Sequence, residues 1–123
     1  MAQFDVYKNE NPNTNQIVPY LLDVQNDILN SLNTRVVIPL AINKKTIQGL
    51  TKKFIINDIT LYMITAQIGT VHLNELQTKI TSLKEQKEEI KNSIDFLIYG
   101  FWGLNITNNF RKLTIFVKFK EVG

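Results

Sequence analysis

The stretch TSLKEQKEEIKNSIDFLIYGF, residues 81–101, decides the fold. Before it, apolar residues come in short alternating runs. From here the period changes: Ile80, Leu83, Ile90, Ile94, Leu97 and Phe101 are spaced by 3, 7, 4, 3 and 4, the stripe of one helix face. Ser82 and Glu85 have the spacing of a capping box, so the spacing predicts a helix over about 82–100. Gly100 and Gly103 stand where a helix would end. A second apolar face is formed by Asp95, Ile98, Tyr99 and Trp102, at i, i+3, i+4 and i+7. A helix with two apolar faces near its end is either sandwiched in a core or keeps one face for a partner.

Working back towards the N-terminus, QFDVYK (3–8) alternates like a half-buried strand, and NENPNTNQ (9–16) reads as a polar loop. IVPYLLDVQ (17–25) is a strand with Pro19 near its start, because proline cannot donate to a ladder. After a turn at NSLN (30–33), TRVVIPL (34–40) carries three apolar residues in a row, a sign of burial on both faces. Residues 41–53 read as a surface excursion. FII (54–56), Asn57-Asp58 and ITLYMITA (59–66) form a hairpin, and QIGTVHL adds a short strand. Five to seven short strands without βαβ spacing point to a small antiparallel barrel or sandwich.

Composition narrows the class. With 123 residues and 44% hydrophobic content the chain holds one domain with a real core. The absence of cysteine excludes a disulfide framework and a thiolate metal site, and fits a reducing, cytoplasmic setting. No apolar run is long enough to span a bilayer, and MAQFDVYKNENP is not a signal peptide. Residues 1–101 are electrically balanced, so the net charge of +3 lies in residues 102–123, with Arg111, Lys112, Lys118 and Lys120 against Glu121. A neutral body with a basic tail argues against direct nucleic-acid binding. His72 is the only histidine and has no acidic cluster around it in the sequence, so no metal site is expected. No nucleophile elbow and no phosphate loop occur, and no cofactor is implied.

FDVYKN, LLDVQND (21–27), RVVIPLA (35–41), MITAQIGTV (63–71) and EIKNSIDFLIYG (89–100) resemble, in order and spacing, the CcdB family. These are the toxins of the ccd toxin–antitoxin pair, which poison DNA gyrase. The resemblance covers residues 3–101. It implies a mainly β fold: an SH3-like antiparallel β-barrel with a small extra sheet and a C-terminal helix. It also implies a homodimer that binds the two-fold DNA gyrase A subunit and traps the DNA-cleaved complex, and a CcdA-like antitoxin that removes it. The mechanism would be binding, so the protein would not be an enzyme. Where the family commonly has proline this chain has His72, and where typical members end near Phe101 this chain continues.

Family members end their helix in an aromatic-glycine-isoleucine tip that enters gyrase. Ungapped alignment puts Tyr99-Gly100-Phe101 there. Placing the tip at the literal string FWG (101–103) needs three inserted residues, which would rotate later side chains by about 300° and advance them ~4.5 Å. By resemblance, then, the gyrase-binding residues are Ile28, Leu29, Asp95, Ile98, Tyr99, Gly100 and Phe101, with Trp102 and Gly103 as additional contacts. Tyr99 would stack on an arginine, worth about 0.5–2 kcal/mol, and Gly100 would permit close approach. The bland readings are that Tyr99 and its neighbours fill the core, and that Ile28 and Leu29 fill the core or the dimer interface. Three rival functions remain: a protein-interaction module with lost or altered toxicity, a toxin ribonuclease on the same fold, for which Arg35 is the body's only arginine, and a nucleic-acid-binding module that rests only on the basic residues of 111–120. Residues 102–123 form a basic extension in which LTIFVKFK (113–120) alternates like an added β-strand, able to mask the tip.

Overall fold

The computed structural model describes residues 1–43 and 51–100. Seven strands form one curled antiparallel sheet: β1 Asp5–Lys8, β2 Tyr20–Asp23, β3 Thr34–Ala41, β4 Thr51–Ile56, β5 Ile59–Ile64, β6 Gly69–His72 and β7 Lys79–Ser82. A single α-helix, α1 Lys87–Tyr99, follows. The strand order is β4-β5-β3-β2-β1-β7. The fold is thus mainly β with a C-terminal helix, as expected, and the expected barrel takes the form of a curled half-barrel sheet. The small extra sheet takes the form of a branch. The first half of β3, residues 34–37, pairs with β6, whereas Leu40 and Ala41 pair with β5.

Local chemistry explains the elements. β4 and β5 meet at Asn57 and Asp58, both at positive φ (52° and 64°), the primed hairpin turn that asparagine and aspartate tolerate. Asn9 is buried and ties down the polar loop, its Nδ2 donating to Thr14 Oγ1 and to the Val18 carbonyl at 2.9 and 2.8 Å. Phe4 is the unusual residue. It is buried, yet sits at φ 74°, a conformation costly for a bulky side chain. Two backbone bonds hold it there: its N–H donates to the Asp23 carbonyl at 2.6 Å, and its carbonyl accepts from Leu83 N–H at 2.8 Å.

The main core gathers Val6, Leu22, Ile38, Leu40, Leu61 and Met63 from the sheet with Leu83 and Ile90 from the C-terminal segment. Ile94 packs against it, half-buried. The buried face of α1 is Ile90, Ser93 and Phe96, so Phe96 brings an aromatic ring to the inward stripe; Phe101, expected there too, lies outside the described residues. Ser93 Oγ and Thr65 Oγ1, both fully buried, are hydrogen-bonded at 2.8 Å and fasten the helix to the turn after β5.

Three expectations change. Ile80 belongs to β7, not to the helix, and α1 begins at Lys87 after a 3-10 turn, Lys84–Gln86. The spacing of 3 to Leu83 mimics a helix, but β7 is held by β1 through Asp5–Ser82 and Val6–Thr81 pairing. Ser82 Oγ accepts from Lys84 N–H at 3.2 Å, opening the 3-10 turn instead of capping α1. The capping box stands at residue 72. His72 Nδ1 accepts from Asn74 N–H and Glu75 Oε2 from His72 N–H, so side-chain bonds set the turn where the family commonly has proline. Third, Thr51–Lys53 are part of β4 and not of a surface excursion. The expected strand within residues 102–123 lies outside the described residues.

Beneath the sheet runs a polar chain. Arg35 is 1% exposed and Asp23 wholly buried, their ion pair measuring 2.7 Å. Arg35 Nε also donates to Asp23 at 2.9 Å, and its terminal nitrogens reach Asn30 Oδ1 and the Gln25 carbonyl. Asp23 Oδ1 accepts from Gln25 N–H, and Gln25 Oε1 from Val36 N–H. Burial pushes the Asp23 carboxyl above its ordinary range, while the Arg35 and Gln25 bonds pull it back. Tyr7 OH lies 3.5 Å from Asp5, and burial together with the Asp5 and Asp23 charges pushes its phenol up to about 12.

Removing one member of a buried pair leaves an uncompensated charge, so Arg35→Met is expected to cost about 3–5 kcal/mol in urea unfolding. The double variant Arg35→Met/Asp23→Leu should recover much of that loss. The raised Tyr7 value predicts a second effect. The unfolded phenol ionises from about 10, while the folded one stays neutral until about 12. Stability should therefore fall as pH rises through that window, and Tyr7→Phe should flatten that part of the profile in a pH series of thermal melts.

Candidate functional site

Two apolar patches emerge from the residues singled out in the sequence, carried by different elements. The first is a 3-10 turn, Asp27–Leu29, just beyond β2. Asn26 Oδ1 accepts from Ile28 N–H at 2.9 Å and caps it. Asp27 is turned to the N-terminal segment, its Oδ1 accepting from Gln3 N–H at 2.8 Å, and Gln25 Nε2 donates to the Leu29 carbonyl at 3.0 Å. With its backbone committed in this way, the turn presents Ile28 to solvent at 84% exposure, with Leu29 also exposed. A core role for these two residues is therefore excluded. Leu32, whose N–H donates to the Leu29 carbonyl, and Met1, whose carbonyl accepts from Asn30, are exposed beside them. The sequence reading missed both. Leu32 lies in a stretch whose polar neighbours mark only a turn, and nothing in the order of residues brings Met1 to position 30.

The second patch is the end of α1. Ile98 and Tyr99 are 61% and 66% exposed, and Asp95, one turn back on the same face, is half-buried. The core reading thus fails for Tyr99 and holds for Phe96, three residues earlier. Gly100 ends the helix in the left-handed conformation, φ 78° and ψ 20°, with its N–H donating to the Phe96 carbonyl at 3.0 Å. Its glycine character thus has a structural cause of its own. Phe101, Trp102 and Gly103 lie outside the described residues. The helix packs on β4 and on the turn Thr65–Gln67, while the Asp27–Leu29 turn is tied to the N-terminus through Asp27 and to β3 through Asn30 at its end.

The geometry also bears on the rival chemistry. A ribonuclease needs a cation free to meet phosphate beside an acid and a base. Arg35, the one arginine in residues 1–101, is buried with its donors directed at Asp23, Asn30 and Gln25. No cluster of three or more metal-ligating side chains occurs among the described residues. What is built is a pair of exposed apolar surfaces on rigid supports, an arrangement suited to docking a protein.

A family model described as CcdB protein matches residues 3–100. The chain belongs to the CcdB family. The matched span contains the whole described domain, from the strained Phe4 to the glycine that ends α1. CcdB membership supports a toxin of a toxin–antitoxin system, with gyrase as its general target. None of the helices among the described residues is long and apolar enough to cross a membrane.

The cap geometry separates folding from contact. Ile98→Ala and Tyr99→Ala, at exposed positions, should change unfolding free energy by no more than about 0.5 kcal/mol. Gly100→Glu forces an L-residue into the left-handed region and should cost about 1–2 kcal/mol. Thermal melts of the three variants measure this directly. Loss of activity in the first two would then report on contact, and in the third on stability as well.

Proposed function

We propose that this protein is a cytoplasmic homodimeric toxin that binds the DNA gyrase A subunit and holds gyrase in its DNA-cleaved state. It acts by binding and performs no catalysis of its own. Asp95, Ile98, Tyr99, Gly100 and Phe101 form the gripping end, with Trp102 and Gly103 as further contacts, and Ile28 and Leu29 form a second contact. A CcdA-like antitoxin relieves the toxicity by competing for the toxin's surface.

The observation that supports this most is the end of α1. Two large apolar side chains, Ile98 and Tyr99, stand exposed at a helix terminus sharply closed by Gly100. Solvent-exposed neighbouring aromatic and aliphatic groups on a rigid element are what a binding anchor requires. Tyr99 offers a planar face for an arginine of the partner. A two-fold toxin also presents each contact twice, matching a two-fold target with equivalent surfaces.

Inducible expression in bacteria, with chromosomal double-strand breaks counted, tests the proposal. Breaks should accumulate with the parent chain and fall tenfold or more with Tyr99→Ala, since loss of about 1.4 kcal/mol of binding is a tenfold change. Equal break counts for parent, variant and empty vector would overturn the gyrase reading. Sedimentation at micromolar concentration should give twice the 14.2 kDa chain mass. A purely monomeric species would remove the dimer from the proposal.

A further inference from the structure

Leu32 closes a second turn built directly on the first. The Leu29 carbonyl accepts from Gln25 Nε2 at 3.0 Å and again from Leu32 N–H at 3.1 Å, so one oxygen ties both turns together. Asn30, between the two leucines, is held three times. Its N–H donates to the Asp27 carbonyl at 3.2 Å, its Oδ1 accepts from the buried Arg35, and its Nδ2 reaches the Met1 carbonyl at 3.5 Å. These bonds are spent within the protein, while the apolar side chains stay outside. Leu32 is 46% exposed, the same as Leu29, beside the more exposed Ile28. Elsewhere among the described residues, exposed large apolar side chains stand singly or two together. Only here do three fall within five positions of the chain. Scattered single groups need no explanation, whereas a cluster on a fixed support marks a contact.

The charges nearby narrow what can cover this cluster. Residues 9–34 hold no lysine, arginine or histidine. Within residues 20–34 the charged side chains are Asp23, paired with the buried Arg35, and Asp27. A surface with acids and no cation does not attract phosphate, so in a complex of gyrase with DNA it suits the protein and not the nucleic acid.

Resting on the assignment of Ile28 and Leu29 to gyrase made above, we propose that Leu32 is a third anchor of that contact. Ile28, Leu29 and Leu32 dock together on an apolar surface of the gyrase A subunit. Continuity names the occupant: Leu32 stands one turn beyond Leu29 and is fixed to it by its own N–H. The resemblance in sequence points to Ile28 and Leu29 alone, and the tandem turn adds Leu32.

Calorimetric titration of the purified full chain against the purified gyrase A subunit tests this. Leu32→Asp should weaken binding about tenfold or more, because it carries an unpaired charge into an apolar contact. Leu32→Ala should weaken it about threefold or more. Both variants should keep the parent's melting midpoint and sedimentation, since position 32 is exposed. If Leu32→Asp melts early, Leu32→Ala alone decides. Affinity within about twofold of the parent's, in a series where Tyr99→Ala does weaken binding, overturns the third anchor and leaves the gyrase reading standing. A parent chain that does not bind the gyrase A subunit removes that reading, and this proposal with it. Dissociation of a parental dimer by Leu32→Asp would assign the cluster to a second copy of the chain and overturn its docking on gyrase.

Discussion

The buried ion pair of Arg35 and Asp23 is the constraint around which the rest is arranged. It joins the end of β2 to the start of β3 at the base of the turn between them, and the arginine's remaining donors fix Asn30 and the Gln25 carbonyl inside that turn. Asp23 lies at the centre of further bonds. Its carbonyl accepts from Phe4 N–H, and its second carboxylate oxygen accepts from Gln25 N–H. A charge pair taken out of water contributes little net stability, but it leaves very few geometries in which every donor and acceptor is matched. That requirement pins one end of the sheet. It also sets where the Asp27–Leu29 turn stands and which way Ile28 faces.

From that end, order passes along the chain to the helix. Phe4 accepts a strained backbone because its N–H is needed by Asp23 and its carbonyl by Leu83. Leu83 in turn is the buried residue that precedes the 3-10 turn and α1. The two candidate contact patches therefore share a support even though different elements carry them. The turn at 27–29 hangs from one side of Asp23, and the start of the helix from the other through Phe4.

Much of the fold was legible from local pattern. Alternation located β1, the apolar run Val36–Ile38 located β3, and Asn57-Asp58 located the β4–β5 hairpin, because turn and strand preferences are local chemistry. β7 was not legible. Its four residues KITS are too short to show a period of two, and Ile80 stands at a helical distance from Leu83. Only its pairing with β1, far earlier in the chain, makes it a strand. Among the site residues, the helical wheel put Ile98 and Tyr99 on a second face but left open whether a core or a partner covers it; the exposure comes from the packing of Ile90, Ser93 and Phe96. The exposure of Ile28 was hidden. It depends on Asn26, Asp27 and Gln25 satisfying the turn's backbone through partners distant in sequence. The burial of Arg35 was equally hidden, because its partner Asp23 lies on another strand.

The hydroxyl pair of Ser93 and Thr65 bears on how the helix end is aimed. Both groups are sealed from water and are bonded to each other. A turn of α1 by one residue, about 100°, would bring a different side chain to Thr65 and break this bond. The pair works as a detent against rolling. Tyr99 lies six residues further on, about 9 Å along the axis, so its bearing is fixed from well inside the protein. Side chains at the end of the helix can then be exchanged for others of different size or polarity while the direction in which they are presented stays the same.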